Sequence, residues 1–273
     1  MTAALRKFTA LGLALVALGA CTHWTKDGER IVDQTNRDFT IDPDVNYKDV
    51  DLADVMAHPT SYKYMAVRFP AIINRLHEGI FSPLYTTFRP DDFISFSAWP
   101  ADAHLWEAQD RMRSLPTLFM RKANPHLQGL IDSNRFALVE VRGVVMGDLE
   151  QVPWINVFYV DEVIPVLYTE ESLADYKAGM DAYAKNIPAQ AIAKLESAVK
   201  SPLAPKVRVQ VRLVLGKLYE GRGDFERAAV HYDAILLDDE NNNAAWEGWE
   251  RCMKQVEAKR AAEGAAQPRR KKQ

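Results

Sequence analysis

Cysteine is almost absent from this chain, which has two cysteines, Cys21 and Cys252, in 273 residues. Two cysteines form one bridge at most, so the fold does not depend on a disulfide framework of the kind that supports small secreted domains. The composition is instead that of a chain that buries apolar cores, since 48% of the residues are hydrophobic and 26% are charged. The length predicts one or two domains.

Recognisable catalytic motifs are also missing. The sequence has no Gly-x-Ser-x-Gly nucleophile elbow and no Gly-x-x-x-x-Gly-Lys phosphate loop. Its six histidines are scattered, and His77-Glu78 is not followed by the second histidine that a zinc-binding helix needs. We therefore expect no enzyme activity, no cofactor and no metal site. A site assembled from distant residues would escape such a search, so an enzyme of unrecognised type stays among the alternatives.

Long apolar runs are limited to one, Phe8–Leu18, which follows Arg6 and Lys7. It is too short for a transmembrane helix, which needs about 20 residues, and it is typical of a secretory signal. The run ends in Leu-Gly-Ala-Cys, and these residues, Leu18–Cys21, resemble the lipobox of bacterial lipoproteins. The alternative is an ordinary signal peptide, residues 1–20, with a chance cysteine nearby.

The lipobox resemblance implies that the peptide before Cys21 is cut away and that Cys21 is diacylated and attached to a membrane. The protein is then expected in the cell envelope, outside the cytoplasm. Thr22, in place of an aspartate, favours the outer membrane in a cell with two membranes, by analogy with the family. With Cys21 acylated, Cys252 has no intramolecular partner and is expected to be a small buried hydrophobic residue.

Charge is distributed unevenly along the chain. The body from Cys21 to Met253 has 25 basic and 35 acidic residues, a net charge of −10. An acidic body is a poor scaffold for nucleic acid, so no nucleic-acid partner is expected. Residues 21–48 are polar and predict a tether, and residues 258–273 predict a disordered basic tail. The alternative for the tail is contact with anionic headgroups or acidic polymers.

Residues 49–168 predict a β-rich domain, because Met65, Val67, Phe69, Ala71 and Ile73 alternate with other residues. Further strands are predicted over Leu84–Phe88, Asp92–Ala98, Ala137–Val145, Pro153–Val160 and Val163–Leu167, with helical segments over Ala101–Arg113 and Pro125–Ile131 and an ambiguous Leu118–Met120. Three strands, a helical insertion and two more strands resemble an OB-fold barrel, in which Gly143 would supply the bend at a corner. A generic α+β domain is the alternative.

Residues 173–257 have helical periodicity and an internal repeat. Leu215-Gly216-x-x-Tyr219, followed by Ala228 and Tyr232, resembles the tetratricopeptide repeat. An earlier copy contains Ala178-Gly179, Ala191, Leu195 and Ala198, and Ala191 precedes Ala228 by 37 residues. The fold class is therefore predicted to be α+β, an OB-like barrel followed by an all-α tetratricopeptide-like module. The alternative for the module is an unrelated helical hairpin bundle.

The turns and the end of this repeat module are also predicted. Asp224 is placed to cap the second helix of the later repeat, and Asn186 that of the earlier one, with Pro188 in its first turn. Counting 34 residues from Gly216 places Glu250 where the repeat has a small residue, so the third helix departs from the pattern. We expect it to be a terminal capping helix.

The tetratricopeptide resemblance implies a groove lined by the first helices of successive repeats. By register, the groove residues are Tyr176, Met180, Tyr183, Gln210, Lys217, Glu220, Glu247 and Arg251. The resemblance implies another envelope protein or a peptide as the partner. The alternative is that Tyr176 and Tyr183 pack against the β-rich domain.

These observations favour a membrane-anchored envelope lipoprotein that acts as a non-catalytic protein-interaction or assembly scaffold. The first alternative is a small-molecule or glycan binding module that uses the aromatic residues of the β-rich domain. It requires a partly exposed ring at Trp99, Trp106 or Trp154, since an aromatic ring must be accessible to stack on a ligand.

Overall fold

The computed structural model describes residues 45–77 and 89–266. Within these ranges the strands are β1 (Lys48–Asp49), β2 (Ala66–His77), β3 (Phe93–Pro100), β4 (Thr117–Arg121), β5 (Leu138–Leu149) and β6 (Val152–Ile164). The α-helices are α1 (Leu52–Ala57), α2 (Ala108–Arg111), α3 (Leu127–Asp132), α4 (Glu170–Ala184), α5 (Pro188–Lys200), α6 (Pro205–Gly221), α7 (Phe225–Leu236) and α8 (Asn243–Ala266). A 3₁₀ turn covers Pro59–Tyr62.

Three sequence-based predictions fall outside the described residues. They are the lipobox at Leu18–Cys21 with most of the tether, the strand at Leu84–Phe88, and the last part of the basic tail, residues 267–273. In the part of the chain that is described, no helix combines the length and the apolar composition that a membrane crossing requires.

Five strands close into a barrel in the order β2-β3-β4-β6-β5, with β5 pairing back to β2. All of these pairings are antiparallel except β4 with β6, which is parallel. Helix α3 lies between β4 and β5 in the chain. The mixed α+β class is confirmed, and this topology is consistent with an OB-like barrel.

The alternation of apolar residues along β2 explains why one face of this strand lines the barrel interior. Val67, Phe69, Ala71 and Ile73 are buried in one apolar cluster with the inward residues of the other strands, as the period of two predicts. In β5, the pairing with β6 shifts at Gly143, and a Cβ added there would lie 2.4 Å from the Asn156 carbonyl oxygen. A glycine is therefore required where the two strands approach closely, as expected at a corner.

Several strand assignments from the sequence were wrong. β3 pairs directly with both β2 and β4, so the segment Asp92–Ala98 belongs to the second barrel strand and Thr117–Arg121 is the third. The run Leu118–Met120 was ambiguous because periodicity cannot separate a strand from a helix over so few residues. β6 is one continuous strand, so Val163–Leu167 does not form a separate one.

The predicted helix over Ala101–Arg113 is mostly a loop. Only Ala108–Arg111 is helical, because Ala103 and Leu105 are both buried and alternate with the more exposed His104 and Trp106. That period of two does not fit a helix, and backbone hydrogen bonds from Ala103 to Pro100 and from Glu107 to His104 fold the segment into successive turns.

Helices α4 to α8 form the C-terminal module, and its boundaries differ from those predicted. α4 begins three residues before Leu173, at a capping box in which Thr169 and Ser172 bond to each other's backbone N–H groups. α8 continues to Ala266, so the tail predicted from residue 258 is helical up to that point. Alanines and charged residues with high helix propensity extend it, and Lys259 pairs with Glu226 of α7 at 3.2 Å.

The predicted caps had different outcomes. The Asp224 side chain accepts a hydrogen bond from the Arg227 backbone N–H, which confirms its capping role. Asn186 does not cap α5. It has a φ of 55° in the turn, a left-handed conformation that asparagine tolerates, while Ile187 occupies the N-cap position and Pro188 is in the first turn, as predicted.

Tyr232 of α7 lies between two glycines of neighbouring helices. A Cβ on Gly216 of α6 or on Gly248 of α8 would come within 2.5 Å of the Tyr232 ring carbon Cζ. The equivalent contact in the preceding helix pair joins Gly179 to Leu195, where a Cβ would lie 2.6 Å away. The small residue of the third helix is therefore Gly248, and not the residue at position 250. The contact depends on which side of α8 faces Tyr232, and not on a fixed spacing of 34 residues.

Barrel and helices share one apolar core. One buried cluster includes Trp99 and Phe136 of the barrel, which stack at 5.6 Å, together with Leu173 and Tyr176 of α4. Cys252 is also in this cluster and is fully buried, which confirms the expectation for it. The module is therefore held to the barrel by burial of apolar surface, the largest favourable term in folding.

Replacing Gly216 with alanine is predicted to lower the free energy of unfolding by about 2 kcal/mol, since the added methyl group overpacks against the buried Tyr232 ring. This corresponds to a drop of roughly 4–8 °C in Tm, measured by calorimetry. Gly221→Ala is the matched control, because no atom lies within 4 Å of its added Cβ and alanine favours the helix. Equal Tm values for the two variants would contradict the packing described for Tyr232.

Candidate functional site

A cleft of about 910 Å³ lies where the barrel meets the helices. One wall is the loop 101–107 after β3, a second is α4, and a third is the start of α6. Leu138 of β5 and Ile164 of β6 contribute apolar surface from the barrel end. This volume is at the upper end of the range for ligand pockets, and such pockets commonly occur between domains.

Trp106 is held in the cleft by two ring contacts. Its indole stacks on the His104 ring at 4.8 Å and meets the Tyr176 ring edge to face at 4.8 Å. Ala103 and Leu105, on alternate positions of the loop, are buried and anchor it to the shared core. The loop therefore presents a half-buried indole from a fixed backbone.

Tyr176 connects the loop to α6. Its hydroxyl donates a hydrogen bond to Oε1 of Gln210 at 3.1 Å, and the residue is 3% exposed. Burial, and then the nearby Glu107 carboxylate, raises the pKa of Tyr176. The phenol is therefore neutral at pH 7 and is a hydrogen-bond donor.

Charged side chains fix the rim of the cleft. Glu170, at the start of α4, accepts hydrogen bonds from Arg111 and, at 2.6 Å, from Arg135. Lys177 pairs with Asp181 at 3.3 Å on α4. The Glu170 pairs join α4 to α2 and to the segment before β5, whereas the Lys177 pair lies within α4. Exposed pairs of this kind contribute about 0–1 kcal/mol each.

The predicted groove residues fall into three groups. Tyr176, Met180 and Gln210 line the cleft. Glu220 pairs with Arg251 at 3.1 Å, away from the cleft. The remaining three are exposed and do not line it, namely Tyr183, Lys217 and Glu247.

Two contacts join neighbouring helices along the predicted face. Tyr176 of α4 meets Gln210 of α6, and Glu220 of α6 meets Arg251 of α8. The alternative that the two tyrosines pack against the β-rich domain holds for Tyr176, which contacts Trp106 of that domain. It does not hold for Tyr183, which is 38% exposed.

Sequence reasoning missed the contribution of the loop 101–107 to the cleft. Trp106 and Glu107 were assigned to a helix, so nothing placed them opposite α4. The signal that could have found them is the period of two at Ala103 and Leu105, which does not fit a helix.

The tryptophans of the barrel domain differ in how far they are exposed. Trp99 is 1% exposed, and Trp154 packs with the buried Phe93 and Phe119 on the outer face of β3 and β4. In OB-folds the face of the second and third strands is the usual ligand surface. Here Phe93 and Phe119 are buried on that face, and Trp154 is half-buried. Of the three tryptophans that the glycan alternative considers, Trp106 lines the cleft described above.

A second polar cluster joins three helices of the module. Glu196 of α5 accepts a hydrogen bond from the Tyr219 hydroxyl at 2.7 Å, and His231 of α7 stacks on the Tyr219 ring at 5.6 Å. Burial lowers the pKa of His231, so it is neutral at pH 7. Among the described residues, no three His, Cys, Asp or Glu side chains are grouped to hold a metal ion.

Tyr176→Ala is predicted to lower the free energy of unfolding by about 3–5 kcal/mol, because it removes a buried ring between the loop and α6. Tyr176→Phe keeps the ring and loses the bond to Gln210, at a cost of about 1 kcal/mol. Tyr183→Ala on the same helix is the control, since an exposed ring contributes little. Calorimetric Tm values check the order, and equal losses at positions 176 and 183 would contradict it.

Comparison of the chain with known protein-family models gives no match, and no curated protein matches its sequence significantly.

Proposed function

We propose that this chain is a membrane-anchored lipoprotein of the bacterial envelope that acts as a non-catalytic scaffold for another envelope protein. The observation that carries the binding role is the cleft between loop 101–107 and helices α4 and α6, whose walls combine open apolar surface with a few polar groups. An exposed apolar concave surface of this size is typical of a binding site.

The anchoring part of the proposal rests on Leu18–Cys21. Each buried CH₂ of an acyl chain contributes about 0.8 kcal/mol, and stable attachment takes at least two chains, as the lipobox resemblance implies for Cys21. Thr22 supports the outer membrane in a cell with two membranes. The polar segment that follows would let the folded body reach a partner near the membrane surface.

Two spacings support a tetratricopeptide-like organisation of α4 to α8. Gly179 and Gly216 are 37 residues apart, and so are their contact residues Leu195 and Tyr232. The same small-against-large contact therefore recurs in two helix pairs, as expected of a repeat whose helices pack alike. In this interpretation α8 is the capping helix, and the partner-binding surface continues from the cleft along the first helices α6 and α8 to the exposed Lys217 and Glu247.

A second candidate function is glycan or small-molecule binding at Trp106. It is favoured by one observation, the half-buried indole on the cleft wall. A titration of Trp106→Ala and wild type with soluble envelope oligosaccharides, followed by calorimetry, discriminates the two functions. Saccharide binding that depends on Trp106 would replace the scaffold proposal.

Cys21→Ala is predicted to move the protein from the membrane fraction to the soluble fraction or to leave the signal uncleaved, because the lipid attachment atom is lost. Cell fractionation with immunoblotting, and mass spectrometry of the mature N-terminus, measure the outcome. Cys252→Ala is the control that removes the other cysteine, which is buried. A Cys21→Ala protein that is processed normally and stays in the membrane would refute the lipoprotein assignment.

Exchange of the exposed charges Lys217→Glu and Glu247→Lys is predicted to reduce recovery of the partner at least about tenfold, since it inverts the charge pattern of the binding face at constant net charge. Crosslinking in intact cells followed by affinity purification and quantitative mass spectrometry measures this recovery.

The matched control exchanges Asp233→Lys and Lys200→Glu on the second helices α7 and α5, which also keeps the net charge. Identical partners for wild type and both exchanges would reject the helical face as the recognition surface. Point variants are preferable to a deletion of the helices, because deletion would expose the core that they share with the barrel.

A further inference from the structure

Among the described residues, two carboxylates on one wall of the cleft have no basic partner. Asp102 and Glu107 lie on the loop 101–107, and no Lys or Arg of the described residues is within ion-pair distance of either. Trp106 lies between them in sequence and lines the same cleft, with His104 stacked on one face of its half-buried indole. Among aromatic rings, an indole binds cations best. Carboxylates beside an indole form a favourable site for an ammonium or guanidinium group.

The opposite side of the cleft suits an apolar chain with a peptide backbone. Leu138, Ile164 and Met180 are half-buried and leave apolar surface open to solvent. Gln210 uses its Oε1 to accept from Tyr176, so its Nε2 group is oriented by that bond and can donate to a carbonyl. Lys206, at the start of α6, is a second donor on this wall.

The charges of the cleft favour a basic occupant over an acidic one. Lys177 is neutralised by Asp181, so that among the described lining residues Lys206 faces two unpaired carboxylates. The acidic body of the chain, with a net charge of −10 over residues 21–253, also attracts cationic ligands at long range.

We propose that this cleft binds an extended peptide segment in which a lysine or arginine is flanked by aliphatic residues. The basic side chain lies beside the Trp106 indole, on the part that His104 does not cover, between Asp102 and Glu107. The aliphatic side chains cover Met180 and Ile164, and Gln210 bonds to the peptide backbone. The proposal rests on the proposed function in one respect, that the chain is a binding protein.

The test uses the full-length chain in detergent and two fluorescein-labelled hexapeptides with blocked ends. One carries a lysine between two leucines, and the other has a glutamate in its place. Fluorescence anisotropy is expected to give a Kd below roughly 1 mM for the lysine peptide and at least about tenfold weaker binding of the glutamate peptide. Added salt is expected to weaken the binding of the lysine peptide, because part of the attraction is electrostatic.

The decisive variant is Asp102→Asn with Glu107→Gln, which keeps the shape of the loop and removes both charges. This variant is expected to bind the lysine peptide at least about tenfold more weakly than the wild type does, and to lose the preference for the lysine peptide over the glutamate peptide. Glu257→Gln with Glu263→Gln on α8 is the control, since it changes the net charge equally and neither residue lines the cleft. Both variants should unfold at the wild-type temperature.

Three results would overturn the inference. They are no binding of the lysine peptide, equal or tighter binding of the glutamate peptide, and equal weakening by the loop variant and the α8 control. Failure of the scaffold proposal is a separate result, because it is measured in cells with the exchange at Lys217 and Glu247, which leaves the cleft unchanged.

Discussion

The edge-to-face contact of Trp106 with Tyr176 joins the loop after β3 to α4, and the cleft has its shape because this contact is fixed. Tyr176 passes the constraint to α6 through its bond to Gln210. The loop is fixed from below as well, since Ala103 and Leu105 enter the same apolar core as Leu173. Barrel and helices therefore present their walls as one rigid unit, which is what a preformed binding site requires.

The polar contacts at the junction contribute less free energy than the apolar packing, but they determine how α4 is oriented. Arg111 and Arg135 converge on Glu170 at the start of α4, where a carboxylate is also favoured by the helix dipole. Exposed pairs of this kind contribute less than about 1 kcal/mol each, whereas a buried aromatic ring contributes several times more. Apolar packing sets the distance between the walls, and the charges set their orientation.

The sequence predicted the elements whose patterns are local. The alternation around Phe69 and Val141 placed two barrel strands, and Asp224 correctly marked the start of α7. Small contact residues were also foreseen at Gly216 and Ala228, because a close helix approach demands them.

Prediction failed where tertiary packing overrides a local pattern. The strand Thr117–Arg121 is too short for its hydrophobic pattern to show a period of two. It forms a strand because it pairs with β3 and β6. The loop 101–107 has helix-forming residues, yet it folds into successive turns that bury Ala103 and Leu105. The cleft joins residues about 70 positions apart, such as Trp106 and Tyr176, and no single-sequence pattern reports such a contact.

The central claim is that the junction between barrel and helices is the surface that holds a partner. Its most direct test places a photo-crosslinking amino acid at Met180 inside the cleft, and at Val230 on the exposed side of α7, in living cells. The account predicts a defined crosslinked partner from position 180 that disappears when Asp102 and Glu107 are neutralised. Identical crosslinks from positions 180 and 230, or a crosslink at 180 that is indifferent to those two charges, would contradict it.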